Sequence, residues 1–237
     1  MGVIVVSGTG TEIGKTVVTA ALAALAAAKG LKVAVLKPAQ TGLEPGEPGD
    51  AHEAARLAGP GVTAVELSRF PEPLAPNTAA RRAGLATVGP QEVAEAADKL
   101  ATEHDLVLVE GAGGLLVRLD DTGGTLADAA GLLKAPVLVV TTAGLGTLNA
   151  TQLTAEALRA RSLEPLGVVI GSWPAEPGLA ARCNLVDLPA TSGAALIGAV
   201  PDGAGGLAPD AFRRGAPSWL APVLGGMWDA DDFTAAQ

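Results

Sequence analysis

Several residue types are scarce in this chain of 237 residues, which has a single cysteine, no tyrosine and only 3% aromatic residues. A lone cysteine, Cys183, cannot form an internal disulfide, so disulfide-stapled secreted domains are excluded and a cytoplasmic location is predicted. Because aromatic residues are few while 49% of the chain is hydrophobic, the core has to consist of Val, Leu, Ile and Ala. Such a core is typical of a parallel sheet with helices on both faces.

Long hydrophobic segments and an excess of positive charge are also missing. The longest apolar run, Ala20 to Ala28, is too short to span a bilayer. The net charge of −9 disfavours general binding to nucleic acid or to anionic membranes, so neither is expected as a partner. The N-terminus has no basic segment and no cleavage site, which predicts that it belongs to the folded domain and is not a removable signal. At this length we expect one domain over residues 1–237, with a frayed acidic tail at about 229–237.

A glycine-rich turn, Ser7 to Thr16, follows the apolar run Val3–Val6 and precedes a long alanine-rich helical pattern. Glycines let the backbone turn tightly and direct its N–H groups at one point, where the following helix adds its positive end. Lys15 supplies a cation for phosphates and Thr16 a hydroxyl for Mg²⁺. The usual phosphate-loop spacing requires glycine where this chain has threonine, so the pattern corresponds to a loop one residue longer, beginning at Gly8. The predicted nucleotide contacts here are Gly10, Thr11, Glu12, Ile13, Gly14, Lys15, Thr16 and Val17.

Apolar runs alternate with helical patterns along the chain, which predicts repeated strand–helix–strand units. The fold class that follows is α/β, a single-domain phosphate-loop NTPase fold with a mostly parallel sheet and helices on both faces. Ligands collect at the carboxyl ends of the strands in such sheets, so the loops after the strands are predicted to share one edge. The predicted strands are 3–7, 33–37, 106–110, 137–141, 167–171 and 196–200. The predicted helices are 14–29, 50–58, 90–103, 125–134 and 147–161.

Charged side chains lie near the ends of two further predicted strands. Lys37 ends the second strand, and we favour a functional cation there over a lysine that merely reaches the surface. Asp50 opens a predicted helix, where it is either the N-cap or a ligand of Mg²⁺. Glu110 ends a buried strand before the glycine-rich turn Gly111 to Gly114, and a buried carboxylate requires a cation. This strand is interpreted as the second metal-binding strand of a phosphate-loop enzyme, with Glu in place of the more usual Asp.

Four segments occur in order along residues 3–207. They are 8–16, Lys37-Pro38 with Thr41, 109–114 and 144–149. Together they resemble the dethiobiotin synthetase family, which implies a ligase of biotin biosynthesis that uses 7,8-diaminononanoate, CO₂, a nucleoside triphosphate and Mg²⁺. One amine would be carboxylated to a carbamate, which attacks the γ-phosphate. The second amine would then displace phosphate from the carbamic-phosphoric anhydride and close the ureido ring.

The resemblance also implies a role for most of the positions above. Lys15 and Lys37 would be catalytic, because they stabilise the carbamate and the transferring phosphoryl group. Members of the family are homodimers that bind the substrate carboxylate across the subunit interface, and a helix N-terminus suits a carboxylate without a basic side chain. The implied Mg²⁺ ligands are Thr16, Asp50 and Glu110. The implied further nucleotide contacts are Gly111, Ala112 and Gly113, and the substrate contacts are Thr11, Lys37, Thr41, Gly146, Thr147, Leu148 and Asn149.

One departure from the family concerns the nucleotide base. After the strand Leu166 to Ile170 the family usually has Asn-Asp, whose asparagine reads the adenine edge, whereas this chain has Gly171-Ser172 followed by Trp173. Glycine offers only backbone groups to a base. ATP is the nucleotide of the family. The residues after this strand form the rim of the nucleotide site beside the base, and they predict weak discrimination among bases, with CTP as an alternative. Trp173 is expected to narrow the base pocket. The predicted rim residues are Gly171, Ser172, Pro201, Asp202 and Gly203.

Three other functions are compatible with a phosphate-loop domain. A partitioning-type ATPase usually has a second lysine five residues before the loop lysine, where this chain has Gly10. A GTPase would need an Asn-Lys-x-Asp motif, which the sequence lacks. An amidating ligase of the cobyrinate type would need a reactive cysteine, and Cys183 follows no nucleophile pattern. All three functions are therefore disfavoured.

Overall fold

Seven strands form one sheet in the part of the chain that the computed structural model describes, residues 2–44 and 46–237. The strands are β1 (Gly2–Gly8), β2 (Val33–Thr41), β3 (Val62–Phe70), β4 (Leu106–Glu110), β5 (Val137–Thr141), β6 (Pro165–Trp173) and β7 (Leu196–Pro201). Their order across the sheet is β3-β2-β4-β1-β5-β6-β7, and every neighbouring pair is parallel. The α/β fold class predicted from the sequence is thereby confirmed.

Helices cover both faces of this sheet. The α-helices of the described residues are α1 (Lys15–Ala28), α2 (Asp50–Ala58), α3 (Pro76–Ala83), α4 (Pro90–Ala101), α5 (Leu126–Leu133), α6 (Thr147–Arg159), α7 (Leu179–Ser192), α8 (Pro209–Gly215) and α9 (Ala230–Ala235). Successive residues of β1 enter opposite cores: Val6 packs with α1, α2 and α7, and Val5 packs with α4 and α5. None of the described helices is long and apolar enough to cross a membrane.

The apolar runs and helical patterns of the sequence do not predict β3, α3, α7, α8 and α9. β3 is an edge strand whose residues are nearly all half-buried and include Glu66 and Arg69, so it lacks the apolar run that marks the other strands. α3 begins at a proline, and only half of its residues are apolar. α7 contains Pro189 within it, and its apolar residues do not follow a helical period.

Residues Ala230–Ala235 of the acidic C-terminal tail form helix α9, and the fraying expected for residues 229–237 stays a prediction. The carboxylate of Asp229 caps the first N–H groups of α9, which explains the acidic run at this point. The ring of Phe233 packs between Trp173 and Trp228, with ring centroids 5.3 Å and 5.4 Å away. Burial of aromatic surface anchors α9, because the ring of Phe233 contacts both indoles.

Candidate active site

The carboxyl ends of β1, β2 and β4 lie side by side, because these strands are neighbours in the sheet. The register pairs Leu36 of β2 with Val109 of β4, and Val6 of β1 with Glu110. Lys37 and Glu110 therefore emerge at the same edge as the glycine-rich turn. A cavity of about 690 Å³ opens there. Its lining includes the predicted residues Thr11, Glu12, Ile13, Gly14, Lys15, Thr16, Lys37, Thr41, Asp50, Glu110, Ala112 and Gly113.

The turn between β1 and α1 requires a special backbone. Gly14 has a φ of 91°, and a Cβ at this position would lie 2.2 Å from the carbonyl oxygen of Gly171 on β6, so only glycine fits. Glu12 also has a left-handed backbone, with a φ of 58°, which is unfavourable for a residue with a side chain. Because α1 begins at Lys15, its first N–H groups and its positive end face the turn. This is the geometry of a phosphate cradle.

Lys37, Asp50, Glu110 and Thr16 form a compact polar cluster that lines the cavity. Glu110 Oε1 accepts hydrogen bonds from Thr16 Oγ1 at 2.8 Å and from Lys37 Nζ at 2.9 Å. Lys37 Nζ also lies 2.5 Å from Asp50 Oδ2. The side chain of Lys37 is 3% exposed and that of Glu110 is 1% exposed. The alternative that Lys37 is a surface lysine is therefore wrong.

One carboxylate oxygen of this cluster lacks a partner in the part of the chain that the structure describes. Glu110 Oε2 is buried and makes no hydrogen bond to any of the described residues. A buried, unsatisfied carboxylate oxygen is costly, and a cation beside it offsets that cost. Thr16, Asp50 and Glu110 offer a hydroxyl and two carboxylates, the hard oxygen donors that Mg²⁺ prefers. These residues fit a magnesium ion.

Lys37 and Lys15 have opposite pKa shifts although they lie close together. Burial opposes the charge on Lys37, but the carboxylates of Glu110 and Asp50 outweigh it and raise the pKa of this lysine. Burial, and then repulsion from Lys37, lowers the pKa of Lys15 to about 8. Lys15 Nζ donates a hydrogen bond to the carbonyl oxygen of Gly10 at 2.6 Å. The cavity thus contains one firmly charged lysine beside a second whose charge an anion would stabilise.

Gln40 and Arg69 hold the loop that leads to Asp50, and neither is among the residues predicted from the sequence. Gln40 Oε1 accepts a hydrogen bond from the Asp50 N–H at 2.8 Å. Arg69 donates to the carbonyl oxygen of Glu47 in the same loop at 2.8 Å. Gly49, and not Asp50, is the N-cap of α2, so the N-cap interpretation of Asp50 is wrong. The only sequence signal for this arrangement is a glutamine near the end of β2, between Lys37 and Thr41, where Gln40 is 4% exposed.

Comparisons with known proteins extend over the whole chain. Residues 3–205 match a family model described as an AAA domain. The ATP-dependent dethiobiotin synthetase BioD of Streptomyces avermitilis is 70% identical to this chain, over 100% of this chain and 99% of its own length. The enzyme of the same name from Streptomyces coelicolor is 71% identical, over 98% of either chain. The chain belongs to the dethiobiotin synthetase family.

This member of the dethiobiotin synthetase family shares its fold with ATPases of known structure. The cell division ATPase MinD of Pyrococcus furiosus is 20% identical, with a TM-score of 0.56 over 91% of this chain and 97% of that chain. A ParA family ATPase from Chlorobium tepidum is 14% identical, with a TM-score of 0.58 over 100% of this chain and 99% of that chain. Identities this low reflect the fold alone, so they give no support to the partitioning-type function.

The segment Gly146 to Asn149, predicted to bind the substrate carboxylate in a dethiobiotin synthetase, lies outside the cavity described above. It starts α6 after the end of β5. Thr147 is 2% exposed and its hydroxyl donates to the carbonyl oxygen of Thr142 at 2.7 Å, so this hydroxyl is not offered to a ligand. What this end of α6 offers instead is backbone N–H groups of its first turn, those of Leu148 and Asn149, because the Thr147 N–H already donates to the carbonyl oxygen of Gly144 at 3.3 Å. The adjacent Leu145 is 92% exposed.

Gly171, where the dethiobiotin synthetase family usually has asparagine, packs closely against the phosphate loop. A Cβ at Gly171 would lie 2.0 Å from the carbonyl oxygen of Ile13 and 2.6 Å from Cγ1 of Val140. An asparagine would therefore require the loop or β6 to move. The absence of a side chain at Gly171 is what allows these two backbones to approach so closely.

The other predicted rim residues are joined to one another. Ser172 Oγ donates to Asp202 Oδ1 at 2.7 Å, and the Gly203 N–H donates to the same oxygen at 3.0 Å. The Asp202 N–H donates to the carbonyl oxygen of Trp173 at 2.8 Å. The Trp173 indole packs against α9 and donates to the side chain of Gln237 at 3.2 Å. The indole is thus engaged with the C-terminal segment, and its narrowing of the base pocket stays a prediction.

Proposed function

We propose that this chain is a nucleoside-triphosphate-dependent dethiobiotin synthase, which closes the ureido ring of dethiobiotin from 7,8-diaminononanoate, CO₂ and the nucleotide. The observation that carries this proposal is the identity of 70% over the whole chain to an enzyme named ATP-dependent dethiobiotin synthetase. The cavity supports it, since two lysines lie beside a phosphate cradle in a space large enough for small substrates.

The reaction has three steps in which negative charge develops on oxygen. An amine nitrogen attacks the carbon of CO₂ and loses a proton, which gives a carbamate. A carbamate oxygen then attacks the γ-phosphorus, and the nucleoside diphosphate leaves. The second amine attacks the carbonyl carbon of the resulting anhydride, loses a proton and expels phosphate as the ring closes. Fixed cations and correct placement of the reacting groups are what such a sequence requires of a protein.

Lys37 and Lys15 would supply the fixed cations. The raised pKa of Lys37 keeps its ammonium charged, so it can hold the carbamate and the γ-phosphoryl oxygens. Lys15 would exchange the carbonyl of Gly10 for phosphate oxygens, whose negative charge raises its pKa again. Thr11 and Thr41 line the same cavity and would hydrogen-bond the substrate.

Thr16, Asp50 and Glu110 would hold Mg²⁺, and Glu110 Oε2, which has no partner among residues 2–44 and 46–237, supports this assignment. When bound, the ion neutralises charge on the β- and γ-phosphate oxygens. The backbone of the turn from Gly10 to Val17 would bind the phosphates, together with the turn Gly111 to Gly113 after β4. Lys37 contacts both carboxylates of the metal set, so the nucleotide and the carbamate would meet at this cluster.

The active form would be a homodimer with its two sites at the subunit interface. The segment Gly146 to Asn149 lies outside the cavity of its own chain, so a carboxylate bound there belongs to a site that a second chain completes. Exposed apolar residues accompany this segment: Leu145 is 92% exposed and Leu153 of α6 is 57% exposed. A second subunit would cover such surface.

A mixed dimer tests this arrangement. One chain carries Lys37→Ala, and the other carries Asn149→Pro, which deletes a backbone N–H in the first turn of α6, where proline is otherwise tolerated. We expect both parent homodimers to be nearly inactive, whereas the mixed dimer, with one intact site of two, regains about half of the wild-type turnover. Asn149→Ala keeps the N–H and is the matched control, expected to stay active. No recovery in a verified mixed dimer would place each site within one chain.

The nucleotide base would be selected only weakly. Contacts to the triphosphate and to Mg²⁺ are shared by all four nucleotides, so selectivity has to come from the rim. Gly171 has no side chain to read the base, and the Ser172 hydroxyl is already engaged by Asp202. The co-substrate is then ATP with a relaxed preference, or a pyrimidine nucleotide such as CTP.

Competition between ATP, CTP, GTP and UTP at one Mg²⁺ concentration measures this selectivity. Loss of a bidentate amide contact removes about 1–3 kcal/mol of discrimination, or roughly one to two powers of ten in affinity. We therefore expect the four affinities to lie within about a hundredfold of one another. Inorganic triphosphate serves as the control, because it reports the part of the binding that is independent of the base. A preference for ATP beyond that range over every competitor would refute weak selection.

Phosphate release tests the proposed function as a whole. We expect release to require the diamine, bicarbonate, nucleotide and Mg²⁺ together, with one dethiobiotin formed for each phosphate released. Parallel reactions contain DNA or anionic lipid vesicles in place of the diamine. Release that ignores the diamine but rises with DNA or lipid would instead indicate an ATPase of the partitioning type.

A further inference from the structure

Four threonine hydroxyls meet behind the phosphate loop, and none of them has a role in the proposed chemistry. Thr141, at the end of β5, is at their centre. Its Oγ1 lies 3.2 Å from Thr9 Oγ1, 2.7 Å from Thr147 Oγ1 and 2.8 Å from Thr151 Oγ1. Thr141 is 0% exposed, Thr151 is 1% exposed and Thr147 is 2% exposed. Water is therefore excluded from the centre of this network.

The number of protons determines the direction of each hydrogen bond. A hydroxyl has one proton and two lone pairs. Thr147 donates its proton to the carbonyl oxygen of Thr142 at 2.7 Å, so towards Thr141 it can only accept. Thr141 therefore donates to Thr147, and its two lone pairs accept from Thr9 and Thr151. All donor and acceptor positions of Thr141 are then used, which makes the arrangement rigid and intolerant of change.

This network joins two segments that the proposed function treats as separate sites. Thr9 belongs to the glycine-rich turn, and its N–H donates to the carbonyl oxygen of Val140 at 3.0 Å. Thr147 is the first residue of α6. β1 and β5 are neighbours in register, with Gly8 opposite Val140, so Thr9 and Thr141 lie across from each other. One buried side chain thus ties the phosphate loop to the start of α6.

We propose that Thr141 is a positioning residue that fixes the N-terminus of α6 relative to the phosphate loop and thereby aligns the N–H groups that bind the substrate carboxylate. The inference rests on the proposed carboxylate site at Gly146 to Asn149. The carboxylate site of one chain completes the active site that contains the lysines of the other chain. Thr141 therefore connects the nucleotide site of one active site to the carboxylate site of the other. Thr141 touches no reacting atom, so its effect should appear in substrate discrimination.

Two diamines with matched chains test the proposal: 7,8-diaminononanoate and the analogue in which a methyl group replaces the carboxylate. The ratio of their kcat/KM values measures how much the enzyme gains from the carboxylate. In Thr141→Val, which keeps the shape but removes the hydroxyl, we expect this ratio to fall by about tenfold, the effect of one well-placed hydrogen bond. The KM of the nucleotide and the turnover of the methyl analogue should stay near wild type. Thr141→Ser, which keeps the hydroxyl, should preserve the ratio.

The possible outcomes separate the proposals. A wild-type ratio near one would overturn the carboxylate site at α6 and this inference with it. A large wild-type ratio that Thr141→Val preserves, or an equal loss of turnover on both diamines, would overturn the positioning role alone. If Thr141→Val does not fold, Thr9→Val cuts the same link at the phosphate loop and leaves the buried centre in place. An unchanged ratio in folded Thr9→Val would likewise overturn the inference.

Discussion

Replacing Lys37 with alanine is expected to lower turnover by roughly 10²–10³-fold, the usual effect of removing one charge-stabilising group from an active site. The Lys37 ammonium lies 2.5 Å from Asp50 and 2.9 Å from Glu110, and it faces the cavity where carbamate and phosphoryl oxygens would develop charge. Steady-state phosphate release by the purified variant measures the loss. Lys99→Ala, on the exposed face of α4, is the matched control and should retain full turnover.

The same substitution should also lower stability. Lys37 and Glu110 are buried together, and removal of one partner of a buried ion pair typically costs about 3–5 kcal/mol, because the other charge is left uncompensated. Chemical denaturation of the variant measures this change in the free energy of unfolding. Turnover has to be expressed per folded molecule so that the two effects are separated. Near-normal turnover of folded Lys37→Ala would remove this lysine from the active site.

Replacing Glu110 with glutamine is expected to raise the Mg²⁺ concentration for half-maximal activity by roughly 10–100-fold, the scale on which changes near a metal site act. Glutamine keeps the size of the side chain, and its amide oxygen can still accept from Thr16 and Lys37. What it removes is the negative charge that, with Asp50, balances the ion. The buried Glu110 Oε2, which has no partner among the described residues, is the atom whose role this change tests.

A magnesium titration of phosphate release at saturating nucleotide measures the shift. Glu95→Gln makes the same chemical change on the exposed face of α4 and should leave the titration unchanged. The Glu110→Gln titration is repeated with Mn²⁺. In each titration the midpoint is read separately from the plateau, because a general loss of activity would lower the plateau without moving the midpoint. A midpoint equal to that of the wild type would rule out Glu110 as a metal ligand.

The phosphate loop and the strands around it are predictable from the sequence because their signals are local. A buried strand, a glycine turn and an alanine-rich helix occur within one short segment, and hydrophobic runs mark β2, β4, β5 and β7 in the same way. The rule that loops share the carboxyl edge of a parallel sheet then groups Lys15, Lys37 and Glu110. The cavity includes all three.

The contacts that orient the side chains of the cavity are not predictable in this way, because they join residues far apart in the chain. Gln40 and Arg69 hold the loop before Asp50 across two neighbouring strands, one of which the sequence does not reveal. The indole of Trp173 packs against a C-terminal helix that the composition of the tail gave no reason to expect. A side chain's surroundings depend on which elements the fold places beside it.

The amino-acid sequence is sufficient to predict the fold class, the family and the charged residues that can contact phosphate. These follow from residue types and from short spacings along the chain, both of which can be read without the fold. The folded structure is needed to see that Lys37 bridges Asp50 and Glu110, that Glu110 keeps one oxygen without a partner among the described residues, and that Thr141 connects the phosphate loop to α6. The reason is that burial and strand register set which polar atoms must find partners, and both exist only once the sheet has formed.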